Sequence, residues 1–451
     1  MTNYKNAERT EELKKRTEDL KQPKTENIRL LLADKIEVYG KPGDNMNSIV
    51  VGPPGCGKTF SYMLPTILCE NECSMVIDDK KGYLYEKTAQ ELQRKGYRVF
   101  KIDFINFNGD FRYNCFHNVR TQEDMMRMAN FMIPLQGELS DRYWEMSTKS
   151  LLRCLLEIAK YEYRECLNLK LFMKLFNMCS YRDEEGCVEV DEDGNEIEKK
   201  DEIEKMIEMH RRMGYQYEAM EEYKRIRSVA PRTWNCTLNS LRVELMKYSS
   251  EKLQNITMEN TFHFAMLGKH KVALFIVSSD TDKAMYPMVQ LMYQDIADVL
   301  IKFADKRCKK NELRLPVHVR FLVDDFASGV QQINFENIIA NCRSRNISYM
   351  MGFQSLSQLE ALYDKYTDGI LDCINYQIFY GSTNLDTNAY LARAMQRPIR
   401  EIQQMNEDTV CLIQRGKQAR FCKRVQTLQF PEYIKSLERV SVKKEIGKET
   451  A

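Results

Sequence analysis

The sequence contains no apolar run of about 18 residues, and we therefore expect no transmembrane helix. Residues 1–24 are highly charged and lack an apolar segment, which argues against a secretory signal and predicts a polar N-terminal tail or helix. No Cys-x-x-Cys pair occurs among the 14 cysteines, and the five histidines form no cluster beside them, so the spacing argues against a zinc site. Without an export signal, we expect reduced thiols in a cytoplasmic protein.

An excess of charge of one sign is missing too, because 67 Lys and Arg residues are balanced by 65 Asp and Glu residues, a net charge of +2. This balance excludes a histone-like basic protein and an acidic disordered protein as descriptions of the whole chain. With only 11 prolines and 19 glycines, long flexible linkers are not expected. The 451 residues are 43% hydrophobic, which is enough for the cores of two or three domains.

Short apolar runs alternate with helical periodicity in the first and last parts of the sequence. The pattern predicts strands at 48–51, 74–79 and 97–104, and a helix at 83–95 that Gly96 closes. After residue 271 it predicts helices at 288–303 and 335–345 and strands at 272–277, 317–326, 347–354, 376–381 and 410–413. Such alternation is typical of βαβ units, so we predict an α/β fold with a mainly parallel central sheet.

The middle of the chain has long helical stretches and almost no strand signal. We predict an all-helical insertion domain at 121–260. It would interrupt one α/β domain formed by 25–120 and 261–425. A polar C-terminal tail is predicted at 426–451.

One segment of this insertion is strongly acidic, because residues 183–205 contain twelve Asp and Glu residues and three lysines. A solvated loop is the favoured interpretation, and a docking surface for a basic partner is the alternative. Asp193-Gly194 is a dipeptide that could turn a small hairpin within the segment.

The most specific motif follows the strand predicted at 48–51. It matches G-x-x-x-x-G-K-[ST], the P-loop, with the residues Gly52, Pro53, Pro54, Gly55, Cys56, Gly57, Lys58 and Thr59. Glycines let backbone N–H groups turn toward phosphate oxygens, and the following helix directs its positive dipole end at the same anion. Lys58 would reach the β- and γ-phosphates, and Thr59 would place its hydroxyl on Mg²⁺. The motif therefore predicts ATP and Mg²⁺ as cofactors.

A second nucleotide-binding element is predicted where residues 321–323, Phe-Leu-Val, lead into two carboxylates. This pattern fits a Walker B strand, in which Asp324 would hold Mg²⁺ through water. Asp325 stands where a general base would polarise the attacking water. Apolar strands that end in Asp are common, and the interpretation gains its weight from the P-loop upstream.

Three further residues are candidates for the same chemistry. Arg343 and Arg345 end a predicted helix, where they are either surface residues or arginine fingers that reach the γ-phosphate of a neighbouring subunit. Gln354 ends the next buried strand, at the sheet edge where ligands bind, and could sense the γ-phosphate or orient water. Cys56 is expected to be neutral in catalysis but sensitive to thiol reagents if it is exposed and partly ionised.

Several blocks of the sequence resemble the TraG/TraD-type coupling proteins of type IV secretion and conjugation. Together with the P-loop they extend over about residues 45–425. The blocks are Asp79-Lys80-Lys81-Gly82-Tyr83-Leu84-Tyr85 (similar to D-P-K-G-E-L-Y), Tyr113-Asn114, Asp141-Arg142-Tyr143-Trp144, Ala230-Pro231-Arg232-Thr233, 321–327 (similar to F-L-L-D-E-F-A), 343–347 (similar to R-S-R-G-I), Gln354-Ser355 with Gln358-Leu359, and Gly381 with Asp386-Thr387.

The resemblance implies a RecA-like nucleotide-binding domain in a homo-oligomer, a hexameric ring. It implies ATP-driven delivery of single-stranded DNA and its relaxase, or an effector protein, to the type IV secretion channel. Lys58 and Thr59 would bind nucleotide and Mg²⁺, Asp324 and Asp325 would be the Walker B carboxylates, and Arg343 would be the trans finger with Gln354 as the sensor. The location would be cytoplasmic, at the inner face of the membrane through partners.

The sequence departs from this family in three places. The family usually begins with transmembrane helices, which are not seen here. Asp325 stands where the family usually has Glu, and the side chain is one methylene shorter, so hydrolysis is expected to be slower. Lys80 replaces Pro and Tyr83 replaces Glu in the block after the second strand.

Two other functions remain open from the sequence. One is a nucleotide-binding adaptor that docks the relaxosome or an effector without productive pumping, with the acidic segment as its docking surface. The other is a double-stranded DNA pump of the FtsK/HerA type, which shares the Walker chemistry. Residues 306–314 form a basic stretch that is interpreted as a solvated loop in preference to a DNA contact.

Overall fold

The computed structural model describes residues 25–133, 142–182, 200–308, 312–328 and 330–434, together with the backbone of 189–190 and 196–197. The chain forms two compact units. One unit contains the chain through Phe111 and from His263 onward, and the other is Arg112–Phe262. The N-terminal segment predicted at 1–24 lies outside the described residues. No helix in the described ranges is both long enough and apolar enough to cross a membrane.

The strands have the following bounds. They are β1 (Ile28–Ala33), β2 (Ile36–Gly40), β3 (Ser48–Val51), β4 (Ser74–Lys80), β5 (Arg98–Asp103), β6 (Asn108–Gly109), β7 (Glu189–Val190), β8 (Glu196–Ile197), β9 (Val272–Ser278), β10 (Val319–Val323), β11 (Ile347–Phe353), β12 (Tyr376–Phe379), β13 (Thr409–Gln414) and β14 (Arg420–Lys423).

The first unit is built on a ten-stranded sheet in the order β14-β13-β12-β3-β11-β10-β4-β9-β5-β6. The strands from β12 to β5 in this order pair in parallel, and β13, β14 and β6 are added antiparallel at the two sides. The central strands β3, β9, β10 and β11 are buried at every position, as a parallel sheet with both faces covered requires. The predicted fold class, α/β with a mainly parallel sheet, is confirmed.

Helices follow most of the parallel strands and provide the crossover connections. The helix predicted at 83–95 is present, and Gly96 beyond its end has a φ of 81°, in the left-handed region. The helices of this unit are Leu64–Cys69, Tyr83–Arg94, Tyr286–Arg307, Phe335–Cys342, Leu356–Tyr363, Thr367–Asp372, Leu385–Met395 and Ile399–Gln403, with single turns at Thr59–Met63, Phe264–Gly268, Arg343–Arg345, Asp364–Tyr366 and Thr427–Gln429.

Two features of this unit differ from the sequence prediction. The pattern did not predict the β1–β2 hairpin, because its two-residue turn is Asp34-Lys35, without the glycine that signals such a turn; Lys35 has a φ of 56°. The beginning of the predicted C-terminal tail is packed instead of solvated. Tyr433 is buried and its ring makes an edge contact with Phe60, at 5.9 Å between centroids. The rest of that tail, from 435, lies outside the described residues.

The second unit is helical in the described residues, apart from the β7–β8 hairpin. This hairpin confirms the small hairpin predicted in the acidic segment, although its Asp193-Gly194 turn lies outside the described residues. Trp234 is fully buried, and its indole donates a hydrogen bond to the Ser180 carbonyl at 2.9 Å. The helices are Gln122–Met132, Arg142–Tyr163, Leu169–Phe176, Glu202–Arg212, Ala219–Arg227, Pro231–Met246 and Glu251–Ile256, with a turn at Arg164–Cys166.

Candidate functional site

The candidate site lies where the parallel strands end. The P-loop follows β3, the two predicted Walker B carboxylates follow β10, and Gln354 follows β11. These strands are neighbours, because Phe353 pairs with Val51 and Met351 pairs with Val323. Ligands of open α/β sheets bind at this edge. The fold therefore brings together two motifs that are far apart in the sequence.

The P-loop forms a tight turn between β3 and the helical segment that begins at Thr59. Its backbone is anchored to β11 by a hydrogen bond from Gly52 N to the Phe353 carbonyl at 3.0 Å. Gly55 and Gly57 have φ values of 77° and 89°, in the left-handed region that favours glycine, so these two positions of the motif are set by the shape of the loop. A loop of this shape can direct its N–H groups toward an anion.

Lys58 folds back over the loop. Its Nζ donates to the Gly52 carbonyl at 2.5 Å and to the Pro53 carbonyl at 3.3 Å. The ammonium group therefore lies within the loop, where it would meet the phosphates of a nucleotide. Exchanging neutral carbonyl acceptors for charged phosphate oxygens would strengthen each hydrogen bond.

Thr59 and Asp324 meet across the gap between β3 and β10, because the Thr59 hydroxyl hydrogen-bonds Oδ2 of Asp324. The other oxygen, Oδ1, is buried and accepts no hydrogen bond within the described part of the chain. Burial raises the pKa of Asp324, whereas the Thr59 hydroxyl and Lys58 oppose this shift. A hydroxyl and a carboxylate with a free oxygen are ligands that Mg²⁺ accepts, so the donor set fits this cation.

Asp325 is held at one oxygen and free at the other. Its Oδ2 accepts a hydrogen bond from the Ser328 hydroxyl at 2.6 Å. Its Oδ1 has no hydrogen-bond partner in the described ranges. The backbone of Asp324 lies close to β11 because Gly352 lacks a side chain: a Cβ there would lie 1.9 Å from the Asp324 carbonyl oxygen. Such a carboxylate has the free acceptor that a general base needs.

Gln354 lies between the P-loop and these carboxylates in the strand order. Its backbone N–H donates to Oε1 of Gln358 at 2.8 Å, which fixes the turn after β11. The position agrees with the predicted role as a sensor or water-orienting residue, and that role stays a prediction.

The two predicted arginines are not at this site. Arg343 precedes β11 and therefore lies at the opposite edge of the sheet, in a cleft that Tyr39, Asp44 and Arg415 also line. Arg345 forms a two-point ion pair with Asp305, at 3.0 and 3.1 Å. The structure thus gives Arg345 a structural partner, and it leaves Arg343 with no route to the P-loop of its own chain.

Sequence reasoning missed Arg424, which follows β14. Its Nη1 donates to the Cys56 carbonyl at 3.0 Å and lies against the P-loop. The Nε of Arg424 is buried without a hydrogen-bond partner in the residues described. No local motif marks this arginine, since it is 368 residues away from Cys56 in the sequence.

The expected thiol reactivity of Cys56 is not favoured. Burial raises the pKa of its thiol, and the nearby Lys58 and Arg424 charges oppose this shift only in part. A raised pKa reduces the thiolate fraction that reacts with thiol reagents.

The block after β4 has a defined structural role. Both oxygens of Asp79 accept backbone N–H bonds from the first turn of the helix Tyr83–Arg94, from Leu84 at 2.9 Å and Tyr85 at 2.8 Å. Burial raises the pKa of Asp79 to about 7, and these N–H bonds oppose the rise. The turn therefore forms despite the changes at Lys80 and Tyr83.

Comparison with known proteins identifies the family. A family model described as type IV secretory system conjugative DNA transfer matches residues 3–429. No curated protein matches the chain. The unbound bacterial conjugative coupling protein TrwBdeltaN70 is similar over 89% of this chain and 89% of its own, with 14% identity and a TM-score of 0.61.

Two nucleotide complexes are also similar. Plasmid coupling protein TrwB with the ATP analogue ADPNP has a TM-score of 0.60 at 14% identity and covers 92% of this chain and 97% of its own. The complex with ADP and Mg²⁺ has a TM-score of 0.59 at 15% identity and covers 93% and 92%. At this identity the likeness shows a shared fold. Because the family model matches nearly the whole sequence, the chain belongs to the type IV secretory system conjugative DNA transfer family.

Proposed function

We propose that this protein is an ATPase that couples hydrolysis to the delivery of single-stranded DNA and its attached relaxase, or of an effector protein, into a type IV secretion channel. The observation that carries the proposal is the meeting of Thr59 with Asp324 beside Lys58 and Asp325, in a chain of the conjugative DNA transfer family. The similar plasmid coupling protein was solved with an ATP analogue and with ADP and Mg²⁺, which supports the same ligands here.

In this proposal the nucleotide binds along the P-loop, Gly52 to Thr59. Backbone N–H groups of the loop hold the β-phosphate, and Lys58 leaves the loop carbonyls to contact the β- and γ-phosphates. The Thr59 hydroxyl and Asp324 hold Mg²⁺, which when bound would neutralise phosphate charge.

Asp325 is the proposed general base. Ser328 holds one carboxylate oxygen, and the other accepts a hydrogen bond from the attacking water. A positioned base typically contributes a factor of about 10² to 10⁴ in rate. Gln354, on the neighbouring strand, is proposed to sense the γ-phosphate or to orient this water.

Arg343 is proposed as an arginine finger in trans. Because it lies at the opposite edge of the sheet from the P-loop, it can reach a γ-phosphate only in another copy of the chain. The proposal therefore includes a homo-oligomer, a hexameric ring in which each subunit completes the site of its neighbour. An arginine finger is worth about 10³ to 10⁵ in rate, so isolated subunits are expected to be slow.

The proposed partners are single-stranded DNA with its relaxase or relaxosome and the components of the secretion channel. The proposed location is the cytoplasmic face of the membrane, reached through these partners. With a net charge of +2, DNA binding would depend on local basic loops in the ring and would weaken as salt is raised.

The test is steady-state ATP hydrolysis with and without single-stranded DNA, for the unchanged protein and for Lys58→Ala. Turnover that DNA stimulates and that Lys58→Ala abolishes is the expected result. Nucleotide binding without turnover, in the presence of DNA and at concentrations that allow assembly, would favour the adaptor. Stronger stimulation by duplex than by single-stranded DNA would favour a double-stranded DNA pump.

A further inference from the structure

Beside the carboxylates, a partly buried lysine connects three parallel strands. Lys80 is the last residue of β4, and its side chain is 12% exposed. Its Nζ donates to the Ser278 hydroxyl at the end of β9, at 3.0 Å, and to the Ser328 carbonyl beyond β10, at 2.9 Å. The same ammonium group lies 5.3 Å from the centre of the Tyr286 ring. All of these groups hold the ammonium in one place.

The charge of this lysine is balanced from within the sheet. Asp78 lies two residues earlier on β4, on the same face, and its Oδ1 is 3.1 Å from Nζ of Lys80. Asp78 is fully buried, and neither of its oxygens accepts a well-formed hydrogen bond from the described residues, so the ion pair is its compensation. A buried ion pair of this kind fixes geometry more than it adds stability.

The lysine is connected to the proposed base through one residue. The backbone carbonyl of Ser328 binds Lys80, and the hydroxyl of Ser328 binds Oδ2 of Asp325 at 2.6 Å. Ser328 N also donates to the Asp325 carbonyl at 3.0 Å, so 325–328 forms a closed turn. A fixed turn places the free oxygen of Asp325 in a defined direction.

We propose that Lys80 and Ser328 are positioning residues for Asp325. Lys80 fixes the turn 325–328 to β4, and Ser328 then holds the carboxylate so that its free oxygen faces the attacking water. The inference rests on the proposed ATPase function and explains how an aspartate serves there. The side chain is one methylene shorter than glutamate, and a misplacement of about 1 Å costs about a hundredfold in rate. Both departures from the family blocks, Lys80 and Asp325, thus belong to one arrangement.

The experiment measures kcat and KM for ATP in the full chain with single-stranded DNA. Ser328→Ala removes only the hydroxyl, and we expect kcat to fall about tenfold with KM within about twofold. The double variant Asp78→Asn/Lys80→Met removes the ion pair without leaving an unpaired buried charge, and the same direction is expected. Lys302→Met, at a lysine on the helix Tyr286–Arg307 that pairs with Asp298, is the matched control.

The decisive comparison places Ser328→Ala in the Asp325→Glu background. The longer glutamate side chain reaches the water without the Ser328 hydroxyl bond, so the loss of kcat caused by Ser328→Ala should shrink to less than about threefold. An equal loss in both backgrounds, or a change confined to KM, indicates a merely structural role and overturns the inference. If kcat is unchanged in both Ser328→Ala and Asp78→Asn/Lys80→Met, the positioning role is overturned while the ATPase proposal stands. Absence of hydrolysis by the unchanged protein overturns both.

Discussion

The two edges of the central sheet, one where the parallel strands begin and the other where they end, differ in how their buried ionisable side chains are partnered. Where the parallel strands begin, the Arg320 guanidinium, the Glu70 carboxylate and the His318 imidazole each have a side-chain partner. Arg320 binds Glu70 at 2.7 Å, and the ring nitrogens of His318 contact Asn346 at 2.8 Å and Ser348 at 2.7 Å. Burial and the nearby Arg320 charge lower the pKa of His318 to about 3, so this imidazole is neutral at physiological pH. We therefore expect these paired groups to contribute to the stability of the fold.

Where the strands end, acceptors are left open. One oxygen of Asp324, one of Asp325 and both of Asp78 accept no hydrogen bond from the residues described. Burial also raises the pKa of Asp78 to about 6, because Lys80 compensates its charge only in part and the two neighbouring carboxylates add to the shift.

The difference indicates which end of the strands binds a ligand. A buried unsatisfied acceptor costs free energy, and natural proteins retain such groups where a ligand, an ion or a water is to be bound. Substitutions at the two edges should therefore separate: those at the strand ends should affect turnover, and those at the strand beginnings should affect folding.

The largest expected effect is that of Asp325→Asn. It keeps the shape of the side chain but removes the basic oxygen, so kcat for ATP should fall by about 10² to 10⁴. Nucleotide affinity and the unfolding midpoint should change little, because the amide can still accept the Ser328 hydroxyl bond. Asp298→Asn, at a partly exposed position of the helix Tyr286–Arg307 that pairs with Lys302, is the control. A loss of stability equal to the loss of turnover would contradict the comparison of the edges.

At the other edge, Arg320→Met should lower the free energy of unfolding by about 3 to 5 kcal/mol, because it leaves the buried Glu70 carboxylate without its partner. Urea denaturation measures this change. The double variant Arg320→Met/Glu70→Gln removes both charges and keeps an oxygen that can accept the N–H groups of residues 71–73, so it should recover most of the loss. ATP turnover per folded molecule should stay within about twofold of the unchanged protein. A catalytic defect in the folded double variant would break the comparison.

The smallest effect is a pH dependence that belongs to the strand ends. The folded pKa of Asp78 is raised from 3.8 to about 6, so the folded state binds this proton more tightly than the unfolded state. Ionisation of Asp78 therefore destabilises the folded protein as pH rises, by about 1 kcal/mol between about pH 5 and about pH 7.

Asp78→Asn/Lys80→Met lacks the titrating carboxylate and should show a flatter stability curve over that range, measured by urea denaturation at each pH. Parallel curves for the two proteins would show that Asp78 does not titrate there.

The sequence predicted the features that depend on residues close together in the chain. The apolar strands and the P-loop could be predicted because each depends on neighbouring residues, such as Gly57 and its left-handed backbone. The Arg424 contact with Cys56 and the Lys80 contact with Ser328 span 368 and 248 residues. Such contacts have no sequence period. Arg343 matched a motif for a residue of the nucleotide site. It lies far from the P-loop of its own chain because it precedes β11, and the P-loop follows the neighbouring strand β3.

The way in which the helical unit is joined to the chain has a consequence for how such proteins diversify. Its two ends are held together, since Thr261 N donates to the Arg112 carbonyl at 3.1 Å and Arg112 N donates to the Thr261 hydroxyl at 2.9 Å. The strands on either side, β5 and β9, are themselves partners. Because the two junctions lie side by side, the segment between them can be lengthened, shortened or exchanged while the pairing of β5 with β9 and the sheet that carries the P-loop stay unchanged.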